Sequence, residues 1–353
     1  MNVVFLTRGH GFGHAARDLR LIRALEDESP GIGVEVLAAG TAVRYYRERG
    51  VPCTDLGIPD EADISVKAGW AIWRHLARGA AAGAARRWDL LVTDELVPAV
   101  PFAHHVLEIP AVVLTDWFFA DFGRPRLDRA FDLAAEVIVL DFAQSHPQPP
   151  HTAAPVHYAG PLVAGFGTDR ERARAALGRG PVGLTAVLSL GGMPDRPETR
   201  RMTAAVFEAW HARAGRDDRL FVLADPGDLL PDGDGRASPP GVTWVGLSAE
   251  PERYHAAADA VIVDAMGFTA CELVHNGGRV IGLLDEEAVE RFPASFRHRV
   301  RHMAAQGWIT AQDPAAGPER IWELISGAGQ TAPGRPMPVA DVADLARRLL
   351  RHA

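Results

Sequence analysis

The sequence is short of three things, and each shortage excludes something. It holds only two cysteines in 353 residues, Cys53 and Cys271. That is too few for a disulfide framework and wrongly spaced for a zinc site, so a reducing, cytoplasmic setting is expected. It has no apolar run approaching the ~20 residues that a membrane span requires. Its first residues pass straight into an apolar strand without a charged leader, so a soluble, unexported protein is expected. It also lacks lysine: Lys67 is the only one, on an arginine- and alanine-rich background. That bias follows GC-rich coding and carries no functional weight. The 45 acidic against 37 basic residues and a formal net charge of −8 argue against a dominant electrostatic contact with nucleic acid, which needs a concentrated basic face. The partner classes left are a small molecule, a lipid-linked molecule or another protein.

What is present is a rhythm. Short β-branched runs alternate with segments of helical spacing: "NVVFL", "VEVLAA", "LLVTD", "AVVLTD" and "AEVIVLD", then "LTAVLSL", "LFVLAD", "VTWVG", "AVIVD" and "RVIGLL". This is the strand and helix alternation of parallel α/β sheets, met twice. The runs are apolar throughout because both faces of such sheets are covered. A proline-rich stretch separates the two series, with a hinge expected at 161–166. The expectation is therefore an α/β protein of two Rossmann-like, doubly wound domains facing a central cleft. They would cover 1–162 and 163–338, and a C-terminal helix at 339–353 would return to the first. Ligands of parallel sheets bind beyond the carboxyl ends of the strands. Those positions hold the 9–14 loop, Asp94, Glu95, Asp116, Trp117 and Asp141 in the first half. In the second they hold Gly191, Gly192, Met193, Asp225 and the stretch 264–269.

The first of these loops, "TRGHGFGHAARD" at 7–18, places glycines at 9, 11 and 13 and histidines at 10 and 14 where a strand must turn into a helix. The glycines permit positive φ and close backbone approach, and the helix start offers free N–H groups to an anion. The spacing does not make the G-x-G-x-x-G dinucleotide fingerprint, because position 14 is histidine, so a plain NAD site is disfavoured. A histidine at the positive end of a helix is disposed to be neutral and to accept a proton. His14 thus reads either as a general base or as a packed capping residue, and His10 as a loop residue. A base needs an orienting carboxylate, for which Asp94, Asp116 and Asp18 are candidates.

"GHGFGHAARDLRLIRAL" resembles the first loop and helix of GT-B glycosyltransferases related to the peptidoglycan N-acetylglucosaminyltransferase. It is similar also to the start of glycosyltransferase-like domains fused to sugar kinases in plants, and to the Gly-His-x-x-Arg element of UDP-sugar hydrolases of pseudaminic acid synthesis. "ADAVIVDAMGFTACELVHNGGRVIGLL", 258–284, resembles the donor-binding segment of that group. The resemblance implies a nucleotide-diphosphate sugar held by Met266, Gly267, Phe268 and Thr269 at its diphosphate and by Glu272 at its ribose. "VLSLGG" would bring Gly191, Gly192 and Met193 to the phosphates. "VTWVGLSAEPERYHAAAD" would bring Val245, Gly246 and Leu247 to the base, and Asp285 and Glu286 would reach sugar hydroxyls. On the acceptor side it implies His10, Gly11, Phe12, Gly13 and Trp117. Backbone N–H groups at two helix starts suit a diphosphate in a chain with one lysine, and no Asp-x-Asp element sits at a strand end. "DGD" at 232–234 lies in a Gly/Pro-rich loop, so neither metal nor cofactor is expected. Two departures stand out: the family's amide-bearing sugar contact is replaced by "LLDEEAVERFPASFRHRVRHM", and the phosphate-side serine usual at the position of 264–266 is absent, which leaves a carboxylate, Asp264, near the anion.

The stretch 65–87 combines Trp70, Trp73 and Leu76 with Lys67, Arg74, Arg78, Arg86 and Arg87. At helical spacing the aromatics share a face, giving either a weak peripheral membrane contact or ordinary packing. Trp117, Phe118 and Phe119 read likewise as an acceptor wall or as core. Together these readings give an inverting, metal-independent glycosyltransferase with His14 as base, acting on a UDP-sugar and a small-molecule or lipid-linked acceptor, with a secondary metabolite preferred. Hydrolysis of the donor at the same site, a 2-epimerase with more carboxylates near the sugar, and a non-catalytic nucleotide-sugar sensor are the alternatives.

Overall fold

A computed structural model of the chain describes residues 1–59, 66–81, 88–180, 182–191, 196–230, 239–246, 248, 250–288, 291–327 and 336–353. Gly192, Met193, Leu247 and the 232–234 loop, together with Arg86, Arg87 and the side chain of Lys67, lie outside the described set. The chain divides into two compact units, one of Met1–Leu162 with Pro338–Ala353 and one of Val163–Met337.

The first unit runs β1 (Asn2–Thr7), α1 (Gly13–Glu28), β2 (Gly33–Ala38), α2 (Gly40–Glu48), β3 (Thr54–Asp55), α3 (Val66–Ala81), β4 (Leu90–Asp94), α4 (Ala99–Phe102), β5 (Ala111–Thr115), β6 (Glu136–Val139) and β7 (Val156–Tyr158). Its seven strands are parallel, in the order β3-β2-β1-β4-β5-β6-β7. Side chains alternate across a strand, so an all-apolar β1 serves two cores at once. Val3 and Phe5 join one cluster with Leu21 and Leu25 of α1, and Val4 and Leu6 join the other with Ile72 and Leu76 of α3. The same split divides Leu90 and Val92 from Leu91 in β4.

The second unit runs α5 (Arg170–Ala176), β8 (Thr185–Ser189), α6 (Pro197–Arg213), β9 (Arg219–Val222), α7 (Pro226–Leu229), β10 (Val242–Trp244), α8 (Pro251–Ala257), β11 (Ala260–Asp264), α9 (Thr269–His275), β12 (Val280–Leu283), α10 (Ala294–Ala305), β13 (Thr310–Gln312) and α11 (Pro318–Ser326). Its six parallel strands take the order β10-β9-β8-β11-β12-β13. In both sheets the strand order reverses beside the first strand of the unit, between β1 and β4 and between β8 and β11. This topology opens a crevice at the carboxyl ends of those strands. Both units are therefore Rossmann-like.

A last helix, α12 (Val342–Leu350), belongs to the first unit. Asp341 caps it by accepting from the N–H groups of Ala343 at 2.9 Å and Asp344 at 3.1 Å. Leu345, Ala346 and Leu349 enter the core cluster shared with α1. Around that apolar stripe, Arg347 donates to Glu28 at 2.9 Å, and Arg348 Nε donates to Glu136 Oε1 at 2.8 Å.

On α3, Ala68, Ile72 and Leu76 are buried at successive turns, while Trp70 and Trp73 are exposed. Leu76 thus does not share the face of the two tryptophans. A period near four put it on the packing stripe, and Arg74 and Arg78 stay exposed with the aromatics. Trp73 is tied down through Nε1, which donates to the carbonyl of Pro98 at 2.7 Å. Among the described residues, no helix is long and apolar enough to cross a membrane.

Candidate functional site

The opening loop leaves β1 at Thr7 and re-enters regular structure at Gly13. Positive φ falls at His10 (62°) and Gly11 (85°), while Gly9 and Gly13 lie outside that region. The Gly11 N–H donates to Thr41 Oγ1 at 2.8 Å, and that hydroxyl donates back to the Gly11 carbonyl at 3.0 Å. The left-handed turn is thereby pinned to α2. Phe12 occupies the N-cap of α1 without a side-chain cap, and its ring packs on Tyr45 at 5.4 Å. Gly13 is exposed, and a Cβ there would meet nothing within 4 Å. The uncapped start of a 16-residue helix therefore faces outward at a residue with no side chain.

His14 follows in the first turn of α1, mostly buried, and its Nδ1 lies 2.9 Å from Asp94 Oδ2 at the end of β4. Arg17, one turn further on, donates through Nε to the same oxygen at 3.0 Å and through Nη2 to Asp94 Oδ1. Its Nη2 is also 2.9 Å from His14 Nδ1. Arg8 pairs with Glu95, which adopts φ 59° and accepts from the Asp116 N–H at 3.2 Å. Burial opposes ionisation of Asp94 and Glu95, but guanidinium groups outweigh it. Arg17 and then His14 hold Asp94 below its usual range, and Arg8 with the Asp116 hydrogen bond holds Glu95 well below. Of the three candidates for orienting His14, Asp94 is the one at hydrogen-bond distance. Asp116 stands one shell away, with its backbone on Glu95 and its charge acting on Arg17. Asp18 is not on the imidazole: its Oδ2 accepts from Thr7 Oγ1, and Asp94 is its charged neighbour.

His14, Asp94 and Glu95 offer donor atoms all within 4.8 Å of one another, a set that could hold a cation. The two carboxylates already carry Arg17 and Arg8. A divalent ion would have to displace both guanidinium groups from a buried position, so the donor set fits a metal poorly.

Trp117 is 4% exposed, its ring edge-on to Phe119 at 5.2 Å and Phe122 at 5.4 Å, and Phe118 is buried beside it. The aromatic group after β5 is therefore mostly core, with Phe119 and Phe122 nearest solvent.

In the second unit the segment after β11 forms a tight turn. The Met266 N–H donates to Asp264 Oδ1 at 2.9 Å and the Gly267 N–H to the Asp264 carbonyl at 3.1 Å. Asp264 thus turns into its own loop and is committed to backbone N–H groups there. Phe268 is the N-cap of α9, without a side-chain cap, and Thr269 opens that seven-residue helix. Glu272, half-buried, sits within its first turn. Arg299 of α10 lies beneath, fully buried, donating Nη2 to the Met266 carbonyl, with its guanidinium 4.1 Å from the Phe268 ring and 4.6 Å from that of Phe296. Sequence reasoning missed Arg299. The available signal was an arginine at the apolar spacing Phe296, Arg299, Val300, Met303.

Burial pushes the Asp264 carboxyl up to about 6, against the Met266 N–H, Arg196 and Arg299, which favour its charge. A group whose folded pKa lies above its unfolded value contributes stability at low pH and loses it as pH rises through the folded value. Stability should therefore fall between about pH 4 and 7. Asp264→Asn, which retains the acceptor for Met266, should remove that fall, on the order of 1–3 kcal/mol. Chemical denaturation at pH 4.5 and 8 measures it.

Elsewhere in this unit, Gly191 stands two residues beyond the end of β8, exposed, with φ 86°. Val245 continues the ladder by donating to the Val222 carbonyl at 2.9 Å, and Gly246 follows at φ 75°. Its positive φ favours glycine, and a Cβ there would also come 2.9 Å from Asp225 Oδ1. Asp285 is buried and engaged: Oδ2 accepts from Arg201 at 2.7 Å, and Oδ1 accepts from the N–H groups of Glu287 and Ala288. Glu286 beside it is exposed.

No protein-family model and no curated protein matches the chain. Solved structures do match its fold. The glycotransferase of kitacinnamycin is 17% identical, with 99% of this chain and 94% of that one covered at a TM-score of 0.63. MurG of Acinetobacter baumannii is 15% identical over 98% and 94%, at 0.53. The UDP-GlcNAc 2-epimerase of Neisseria meningitidis, bound to UDP-GlcNAc, is 12% identical over the full length of both chains, at 0.65. At these identities the likeness is one of fold: two Rossmann-like units, the GT-B architecture.

Proposed function

We propose that this chain is an inverting, metal-independent glycosyltransferase that moves a sugar from a nucleotide-diphosphate donor, a UDP-sugar such as UDP-GlcNAc, to a small-molecule or lipid-linked acceptor. The observation that carries the reading is the imidazole of His14 set against the ionised Asp94 at the strand-order reversal of the first sheet. With Nδ1–H donated to Asp94, Nε2 keeps its lone pair. It takes the proton of the acceptor's hydroxyl as that oxygen attacks the anomeric carbon, while the bond from that carbon to the diphosphate breaks and the diphosphate leaves with the electron pair. One displacement inverts the configuration.

The diphosphate is assigned to the Met266–Thr269 turn at its Phe268 and Thr269 N–H groups, since those of Met266 and Gly267 serve Asp264, with Arg299 supplying positive charge beneath it and Glu272 assigned to the ribose. Gly191 and Gly246 leave backbone accessible for close approach of phosphate and base. Asp285, committed to Arg201 and to its own turn, is a weaker candidate for a sugar hydroxyl than the exposed Glu286. The exposed Trp70, Trp73, Arg74 and Arg78 of α3 suit weak contact with an anionic lipid surface, as a lipid-linked acceptor would require.

Incubation of the protein with UDP- and dTDP-sugars, each with and without a panel of acceptors, tests the reading. Nucleoside diphosphate should be released only when an acceptor is present, and NMR of the product should show the opposite anomeric configuration. Retention would overturn the mechanism. Equal release without acceptor would assign hydrolysis to the same base, with water as nucleophile.

A further inference from the structure

Behind Asp94 lies a carboxyl group that the mechanism does not use. Asp18 sits one residue beyond Arg17 on α1, wholly buried. Its Oδ2 accepts from Thr7 Oγ1 at 2.7 Å. The Thr7 hydroxyl, having given its hydrogen to Asp18, accepts from the Tyr46 hydroxyl at 2.9 Å. The donor chain therefore runs inward, Tyr46 to Thr7 to Asp18. Asp18 Oδ1, in contrast, has no donor directed at it.

An anionic oxygen left bare in the interior is costly, and two carboxylates side by side do not both ionise there. Asp94 is the ionised member: it holds Arg17 on both oxygens and, in the tautomer the mechanism requires, with the proton on Nδ1, His14 on one. A carboxylate offers about four lone-pair positions, and these three donors leave one open. A proton on Asp18 Oδ1 fills it and removes the bare charge in the same stroke.

We propose that Asp18 is a positioning residue whose neutral carboxyl donates a hydrogen bond to Asp94, completing the four-donor cradle that aims Asp94 at His14. Burial and the Asp94 charge push its carboxyl well above the usual range, against Arg17 and Thr7. The groups facing it are Asp94, Arg17, Thr7 and Tyr46, and burial keeps the Tyr46 hydroxyl protonated and so a donor. Asp18 would touch neither substrate nor leaving group. The inference deepens the transferase reading and rests on it for its kinetic arm alone.

Two measurements test it. Infrared difference spectra of the whole protein at pH 8 should contain the carbonyl band of a buried protonated carboxylic acid, lost in Asp18→Asn and kept in Asp264→Asn. This arm needs no turnover, so it stands whether or not the protein transfers sugar. In kinetics, Asp18→Asn preserves a neutral donor to Asp94 and an acceptor for Thr7, and should keep kcat and its pH profile within about threefold of wild type. Asp18→Val removes the donor and should lower kcat by about 100-fold with donor KM unchanged. Should the valine variant fail to fold, the asparagine variant and the spectrum still decide. Absence of the band, its survival in Asp18→Asn, or a loss of activity in Asp18→Asn as deep as in Asp94→Ala would overturn the proposal.

Discussion

Replacing His14 by alanine is expected to lower kcat for sugar transfer by about 10²–10⁴-fold, the range a positioned general base contributes. Donor KM should hardly move, because the turn proposed to hold the donor lies in the other unit. Nor should the fold suffer much: Asp94 keeps both of its bonds from Arg17 when the imidazole is gone. A melting temperature within a few degrees of wild type would separate lost chemistry from lost structure. Asp94→Asn should fall in the same direction, since an amide that offers its NH2 to Nδ1 selects the tautomer with its proton on Nε2, the wrong one for a base. Unchanged turnover in His14→Ala would leave the imidazole as a packing residue and the proposed base without support.

The largest effect on stability is expected from Arg17→Met. The side chain is of similar length, but the change leaves Asp94 buried without its main counter-charge and weakens the surroundings of Glu95, 3.8 Å from Arg17. Breaking one partner out of a buried pair costs about 3–5 kcal/mol. The pH dependence should change sign as well. In wild type the Asp94 carboxyl is held below its ordinary value, so its contribution is present at neutral pH and lost only in acid. Without Arg17 the leading influence is burial, which raises the folded pKa, and stability then falls as pH rises. Calorimetry should find Arg17→Met melting lower than wild type at both pH 5 and pH 8, with the larger deficit at pH 8. An equal deficit at the two pH values would mean that Arg17 contributes by packing rather than by charge.

These expectations rest on residues that sequence disclosed unevenly. Every apolar run quoted from the sequence became a strand, because a parallel strand covered on both faces has to be apolar at each position, and that pattern needs no partner to be recognised. The strands β3, β7 and β13 went unread. They are two or three residues long and exist only because a neighbouring edge accepts them, a property of the sheet rather than of the segment. At the site, His14 was conspicuous because it ends a glycine-rich loop at a helix start, where it reads as a base or as a packed cap. Choosing among Asp94, Asp116 and Asp18 depended on angles between strand ends and a helix, which no spacing encodes. Arg17, which closes the Gly-His-x-x-Arg element but was given no role, and Arg299, which went unnoticed, share a reason. In a chain whose positive charge is nearly all arginine, one more looks like surface, and only burial reveals that these two hold interior charge and a turn carbonyl. The α3 face divided for a simpler reason: a four-residue step joins Ala68, Ile72 and Leu76, and Trp70 falls between its turns.

The placement of α12 has a consequence for biogenesis. The sheet of the first unit is specified by residue 158, yet the core cluster that takes in the apolar side of α1 is completed by Leu345, Ala346 and Leu349, which leave the ribosome after the entire second unit. Nascent chains must therefore carry an unfinished hydrophobic surface through about half of translation. The second unit, contiguous from 163 to 337, can mature in the meantime. Chaperone engagement would fall on the earlier-made half, and a stop codon just ahead of α12 would spare the later half while leaving the portion bearing His14 open to proteolysis.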